Sequence, residues 1–130
     1  MKIIINYIQP IFKLFNICLI ILYLFPGSIL GFLLYNDLNR QPQITGDFLY
    51  ISSNHIYAFS LISILGLFAF KSKKKLFLYL IFLSIILELF HLVIPNRSFQ
   101  IGDLNGNLLG VIIPFLIYKV YEILFQTKKK

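Results

Sequence analysis

Residues 71–95 read KSKKKLFLYLIFLSIILELFHLVIP: a block of lysines, nineteen largely apolar positions, then a proline. The apolar part, 76–94, carries one acid, Glu88, and one histidine, His91. A helix needs about 20 mostly apolar residues to cross the hydrocarbon core of a bilayer, so this stretch predicts a spanning helix with a basic flank. Three others read the same way: 14–35, 48–70 and 104–125. The first contains no charge but is interrupted by Pro26, Gly27 and Gly31, residues that membrane helices tolerate. Its apolar character resumes at Ile29, which makes it too long for a signal-peptide core and predicts a retained helix. Pro10 and the mixed residues of 1–13 suggest a short interfacial lead-in.

Composition points the same way. The 130 residues are 58% hydrophobic and 13% charged, with 14 Phe and 8 Tyr, and the mean hydropathy is +0.83. An ordinary globular domain is about 25% charged, and so short a chain hides little surface in a core of its own. Disorder does not fit so apolar a chain. A disulfide framework is excluded because Cys18 is the only cysteine. The expected fold is all-α, one transmembrane domain over 1–130 with four helices in a small bundle.

The net charge of +7 decides orientation rather than partner. Lys2, Lys13, Lys71, Lys73, Lys74, Lys75, Lys119, Lys128, Lys129 and Lys130 fall beside one set of span ends, whereas Arg40 and Arg97 fall beside the other with Asp37, Asp47 and Asp103. Under the positive-inside rule both termini are expected in the cytoplasm of a multi-pass membrane protein. No nucleic-acid partner is expected, because the basic residues sit between and beside apolar runs.

The polar residues within this pattern are the candidate site. Glu88 is costly in an apolar helix and marks a pair, a partner or a watery cavity. His91, three residues on, shares its helical face. Pro95 to Asn107 is a turn-rich connection in which Asp103 suits a helix cap and Asn107 lies four residues later. Gly106 and Gly110 resemble a small-residue packing face. His55 follows Ser52, Ser53 and Asn54 at the start of the second span, and the guanidinium of Arg97 suits a carboxylate or phosphate. His55, Glu88, His91 and Asp103 could run acid–base steps or hold a metal, but no spacing such as HExxH is present, and no metal ligand or cofactor is assigned. Neither a P-loop nor a dinucleotide fingerprint occurs, and Cys18 reads as a packing residue.

The run 88–99, ELFHLVIPNRSF, followed by Asp103, Asn107 and Gly110, resembles the signature of VanZ-like membrane proteins. In that family an acid in an apolar helix precedes a polar residue by three, a Pro-x-Arg turn follows, and Asp-x-x-x-Asn-x-x-Gly opens the last helix. His55 and Phe59 match a histidine and aromatic of an earlier helix. His91 stands where the family often has Gln, and Ile51-Ser52 where it often has Asp-Lys. The resemblance implies a small protein of the bacterial cytoplasmic membrane with an outward-facing polar pocket. That pocket is expected to bind or modify an envelope component, such as a phosphorylated lipid or glycan headgroup. Glu88, His91, His55 and Asp103 are then the expected catalytic residues, and Arg97 and Asn107 the expected substrate contacts. The expected partners are the lipid bilayer, the envelope ligand and a second copy of the chain. A structural or accessory subunit is the alternative, with a small transporter third; whether the protein is an enzyme stays open.

Overall fold

The computed structural model describes residues 2–126 and forms five helices. They are α1 (Lys2–Leu24), α2 (Ile29–Tyr35), α3 (Ser53–Ala69), α4 (Lys73–Phe90) and α5 (Ile101–Gln126). Among the described residues the only β pairing is an isolated bridge between Phe48 and Ile51.

The break between α1 and α2 follows from local chemistry. Pro26 has no N–H to give, and Gly27 adopts φ 118°, which side-chain-bearing residues avoid. Ser28 then starts a new helix, its Oγ accepting from the Gly31 N–H at 2.9 Å. Asn36, left-handed at φ 55°, closes it after seven residues. The following chain folds back so closely that a Cβ on Gly31 would collide with the Arg40 carbonyl.

The start of α3 is held by the loop before it. Asp47 Oδ1 accepts from the Ser53 N–H at 2.9 Å, Ser53 Oγ donates to the Thr45 carbonyl at 2.7 Å, and Asn54 Nδ2 donates to the Pro42 carbonyl at 2.7 Å. Leu49 and Tyr50 both take positive φ in the two-residue turn closed by Phe48 and Ile51. At the other end of α3 the Lys73 ammonium donates to the Leu67 and Phe70 carbonyls, capping the helix it follows.

Helix α3 is packed by α1, α4 and α5. Its closest neighbour is α5. A Cβ on Gly106 would lie 2.6 Å from the Ser52 carbonyl oxygen, and one on Gly110 2.7 Å from the Ile56 carbonyl oxygen and the Phe59 Cβ. The core consists of Phe12, Leu19 and Tyr23 from α1, Phe59, Ile62 and Ala69 from α3, Leu76, Leu80, Leu83 and Leu87 from α4, and Val111 from α5.

This architecture corrects the expected bundle of four transmembrane helices. The span 14–35 is two helices, and 1–13 belongs to α1 from Lys2 onward rather than to a lead-in. Helix α3 has 17 residues, about 25 Å at 1.5 Å per residue, short of the ~30 Å hydrocarbon core. Helix α4 has 18, but Lys73, Lys74, Lys75 and Glu88 are among them. Among the described residues only Tyr7–Leu24 and Ile101–Phe125 are long and apolar enough to cross a membrane. The multi-pass placement in a cell membrane, the cytoplasmic termini and the bilayer as partner all rested on four spans and lose that support. The apolar surplus lies on outer helix faces, where Leu33, Phe68, Phe82 and Ile117 are exposed. Lys128, Lys129 and Lys130, which helped to set the orientation, lie outside the described residues, as does the side chain of Lys2.

Candidate functional site

Four helix ends meet where the polar side chains collect. His55 stands in the first turn of α3, Glu88 in the last turn of α4, His91 at its C-cap and Asp103 in the first turn of α5. Asn107 lies one turn further along α5, and Tyr23 comes from the last turn of α1. Glu88 and Asn107 are 0% exposed and His91 is 2% exposed. Burial of so many polar groups is costly unless each finds a partner, and their partners fix the proton positions.

Asn107 organises one half. Its Oδ1 accepts from the Tyr23 hydroxyl at 2.6 Å and lies 2.9 Å from His55 Nδ1, while its Nδ2 reaches the Ser84 carbonyl at 3.4 Å. Since Oδ1 only accepts, His55 Nδ1 must carry the hydrogen; that nitrogen also lies 3.0 Å from the Tyr23 hydroxyl oxygen. The neutral ring therefore presents a bare Nε2. That nitrogen stands 3.6 Å from Asp103 Oδ2.

Glu88 and His91 organise the other half. His91 Nε2 lies 3.1 Å from the Tyr23 carbonyl and donates to it. Its Nδ1 faces Glu88 Oε1 at 3.4 Å, an arrangement that is complementary when a proton lies between them. Glu88 Oε1 also accepts from the Gln100 N–H at 3.0 Å. Glu88 Oε2 is buried and accepts no hydrogen bond among the described residues.

Charges follow from these surroundings. Burial pushes His55 below the usual imidazole value, more strongly than Asp103, Asn107 and Glu88 hold it up. Burial would raise Glu88, but the hydrogen bonds from His91 and the Gln100 N–H, with the nearby histidine charges, bring it below the ordinary carboxylate value. At neutral pH the cluster thus offers a neutral imidazole and an ionised carboxylate.

One ligand atom from each of His55, Glu88 and Asp103 lies within 4.8 Å of the others. An imidazole nitrogen with two carboxylates is a donor set that first-row divalent cations accept. Arg97 stands apart from that triangle. Its Nε donates to the Phe25 carbonyl at 3.2 Å, and its Nη2 to those of Leu22, at 3.1 Å, and Gly27. It therefore ties down the C-terminal end of α1, whose carbonyls favour a cation. Asp103 does not cap α5: that helix begins two residues earlier, and the carboxylate turns to His55. All six residues picked from the sequence thus lie in one region. Tyr23 was missed. A tyrosine in an apolar run still needs a partner for its hydroxyl, and that was its signal.

A cavity of about 630 Å³ opens beside the cluster, between α1, α2, α3 and the 41–44 loop, with His55, His91, Tyr23 and Arg97 in its wall.

Fold and cluster together define an all-helical protein built around a buried His–carboxylate centre. No protein-family model, no curated protein and no solved structure matches the chain. The likeness to VanZ-like proteins is therefore not upheld. It rested on single residues and short turns spread over half the chain, patterns that apolar helices joined by polar loops produce without kinship. The expected outward-facing pocket for an envelope component falls with it, since outward had meaning only for a four-span topology. What the chain offers instead is the set of cation donors on His55, Glu88 and Asp103.

Proposed function

We propose that this protein binds one first-row divalent cation through His55 Nε2, Asp103 Oδ2 and Glu88 Oε2. The observation that carries the reading is the 3.6 Å between His55 Nε2 and Asp103 Oδ2. That gap is too long for a hydrogen bond. Two ligands on a tetrahedral metal with bonds near 2.1 Å stand roughly 3.4 Å apart. Glu88 Oε2 supplies the third donor, and its orphaned state explains itself if a cation is its partner.

Two carboxylates and a neutral imidazole carry the charge that a divalent ion cancels. The remaining ligand atoms, up to 4.8 Å apart, close by about 1 Å on coordination. Around this triangle the Asn107 and Tyr23 contacts hold the His55 tautomer, and His91 with the Gln100 N–H orients Glu88. Three protein ligands leave one coordination position for water or substrate, as in catalytic rather than purely structural sites.

Titration of chelator-treated protein with Zn²⁺, followed by calorimetry, tests the reading. One ion per chain is expected. His55→Ala, Glu88→Gln and Asp103→Asn should each weaken it by about 100-fold or more, beyond the 10–100-fold typical of residues that only support a ligand. Equal affinity in all three variants would place the ion elsewhere and overturn the assignment.

A further inference from the structure

The 630 Å³ cavity next to the cluster falls within the ~300–1,000 Å³ of ordinary small-ligand sites. Leu19, Leu34, Ile44 and Leu61 line it together with polar side chains, Gln41, Gln43 and Asn54 as well as Tyr23, His55, His91 and Arg97. Among the described residues Arg97 is the only Asp, Glu, Lys or Arg in its wall. The guanidinium spends Nε and Nη2 on the α1 carbonyls, and no partner takes Nη1 among the described residues.

We propose that this cavity binds an apolar monocarboxylate, an unbranched acyl chain lying along the leucine wall with its carboxylate against Arg97. The tail follows from the apolar wall. The single negative charge follows from the single cation. A doubly charged phosphate monoester meets no second positive side chain there, and the charges of Glu88 and Asp103 lie close enough to act on Arg97. Arg97 is held by its other nitrogens, so the remaining donors are presented in a fixed orientation and lose little freedom on binding. This inference goes beyond cation binding and does not require it: of the three proposed ligands only His55 lines the cavity.

Calorimetric titration of the purified chain in chelator with decanoate, decanol and decyl phosphate, all below their aggregation limits, tests it without any contribution from a metal. Decanoate should saturate at one per chain and bind at least tenfold tighter than either of the others. Extending the carboxylate series from octanoate to decanoate should tighten binding about fourfold per added CH₂. Ala58, in the cavity wall one helical turn from His55, offers a position at which to block it without touching Arg97. Ala58→Phe should weaken decanoate tenfold or more while helix content by circular dichroism stays that of the parent. Equal binding of decanol would overturn recognition of the carboxylate. Tighter binding of decyl phosphate would overturn the single charge, and non-saturating uptake of all three would overturn the site. If Ala58→Phe does not fold, the comparison of ligands on the unaltered chain still decides.

Discussion

Replacing Asn107 by leucine should do two separable things, and the geometry gives the size of each. Leucine keeps the number and branching of side-chain heavy atoms but removes the Oδ1 that Tyr23 and His55 share at 2.6 and 2.9 Å, and the weaker contact to the Ser84 carbonyl. An orphaned buried group costs about 1–3 kcal/mol. The Tyr23 hydroxyl and His55 Nδ1 are already 3.0 Å apart and can pair with each other, so only part of that cost remains. The expected loss is about 2 kcal/mol, or roughly 6–10 °C in Tm for a chain of this size. The second effect is chemical. With Asn107 gone, the Tyr23 hydroxyl can satisfy itself only by donating to His55 Nδ1, which forces the ring hydrogen onto Nε2, toward Asp103. Long-range ¹H–¹⁵N NMR of the His55 ring reads the tautomer directly. The parent should carry its hydrogen on Nδ1 and Asn107→Leu on Nε2, with Zn²⁺ affinity reduced 10–100-fold, the usual cost of losing support behind a ligand. Asn107→Asp, which keeps the acceptor, should keep the parent tautomer. A parent ring already protonated on Nε2, or an unchanged tautomer in Asn107→Leu, would refute the reasoning.

Other expectations follow from the same coordinates. Gly110→Leu should be destabilised by about 3 kcal/mol or more in chemical denaturation, because backbone of α3 already stands where its Cβ would go. Gly46→Ala meets nothing within 4 Å and should change stability by no more than about 1 kcal/mol. Acid should destabilise the metal-free protein in two stages. Both His55 and Glu88 lie below their unfolded values in the folded chain, so the stability each provides is present above the unfolded value and lost as pH falls through the folded one. Denaturation midpoints should hold steady above about pH 7 and decline first below about 6.5, then again below about 4.3. A midpoint that rises as the pH falls from about 7 to about 6 would contradict the His55 assignment; at lower pH Asp103, which burial raises, acts in the opposite sense to Glu88. Lys73→Met should expose the end of α3 to faster amide exchange at Ala69 and Phe70, since the Lys73 ammonium holds the Leu67 and Phe70 carbonyls.

The all-helical character was legible from the sequence because long apolar runs free of β-turn punctuation leave little else. A close approach of the last helix to some neighbour was legible too, from two glycines four apart, but not that the neighbour is α3. What misled was the equation of an apolar run with a span. Pro26 and Gly27 were read as a tolerated bend, yet Ser28 offers a complete N-cap and the chain uses it to start a new helix. Lys73 was read as a marker of membrane side, yet it turns back to cap α3. In both cases a local hydrogen bond decided what bulk hydropathy could not. The cluster was legible in its members because ionisable groups in apolar helices must find one another. Its wiring was not. Which nitrogen of His55 is bare depends on Asn107, a residue from another helix 52 positions away, and no pattern along the chain carries that information.

X-ray absorption at the zinc edge of protein loaded with one equivalent of Zn²⁺ tests the cation centre most directly. Three protein ligands should appear as a single imidazole shell near 2.0 Å together with oxygen neighbours at about 2.0–2.2 Å, and no sulfur at 2.3 Å. Loss of the imidazole signature in His55→Ala should accompany loss of the ion. A spectrum with sulfur from Cys18, with two imidazoles, or with only water oxygens would contradict the His55–Glu88–Asp103 centre.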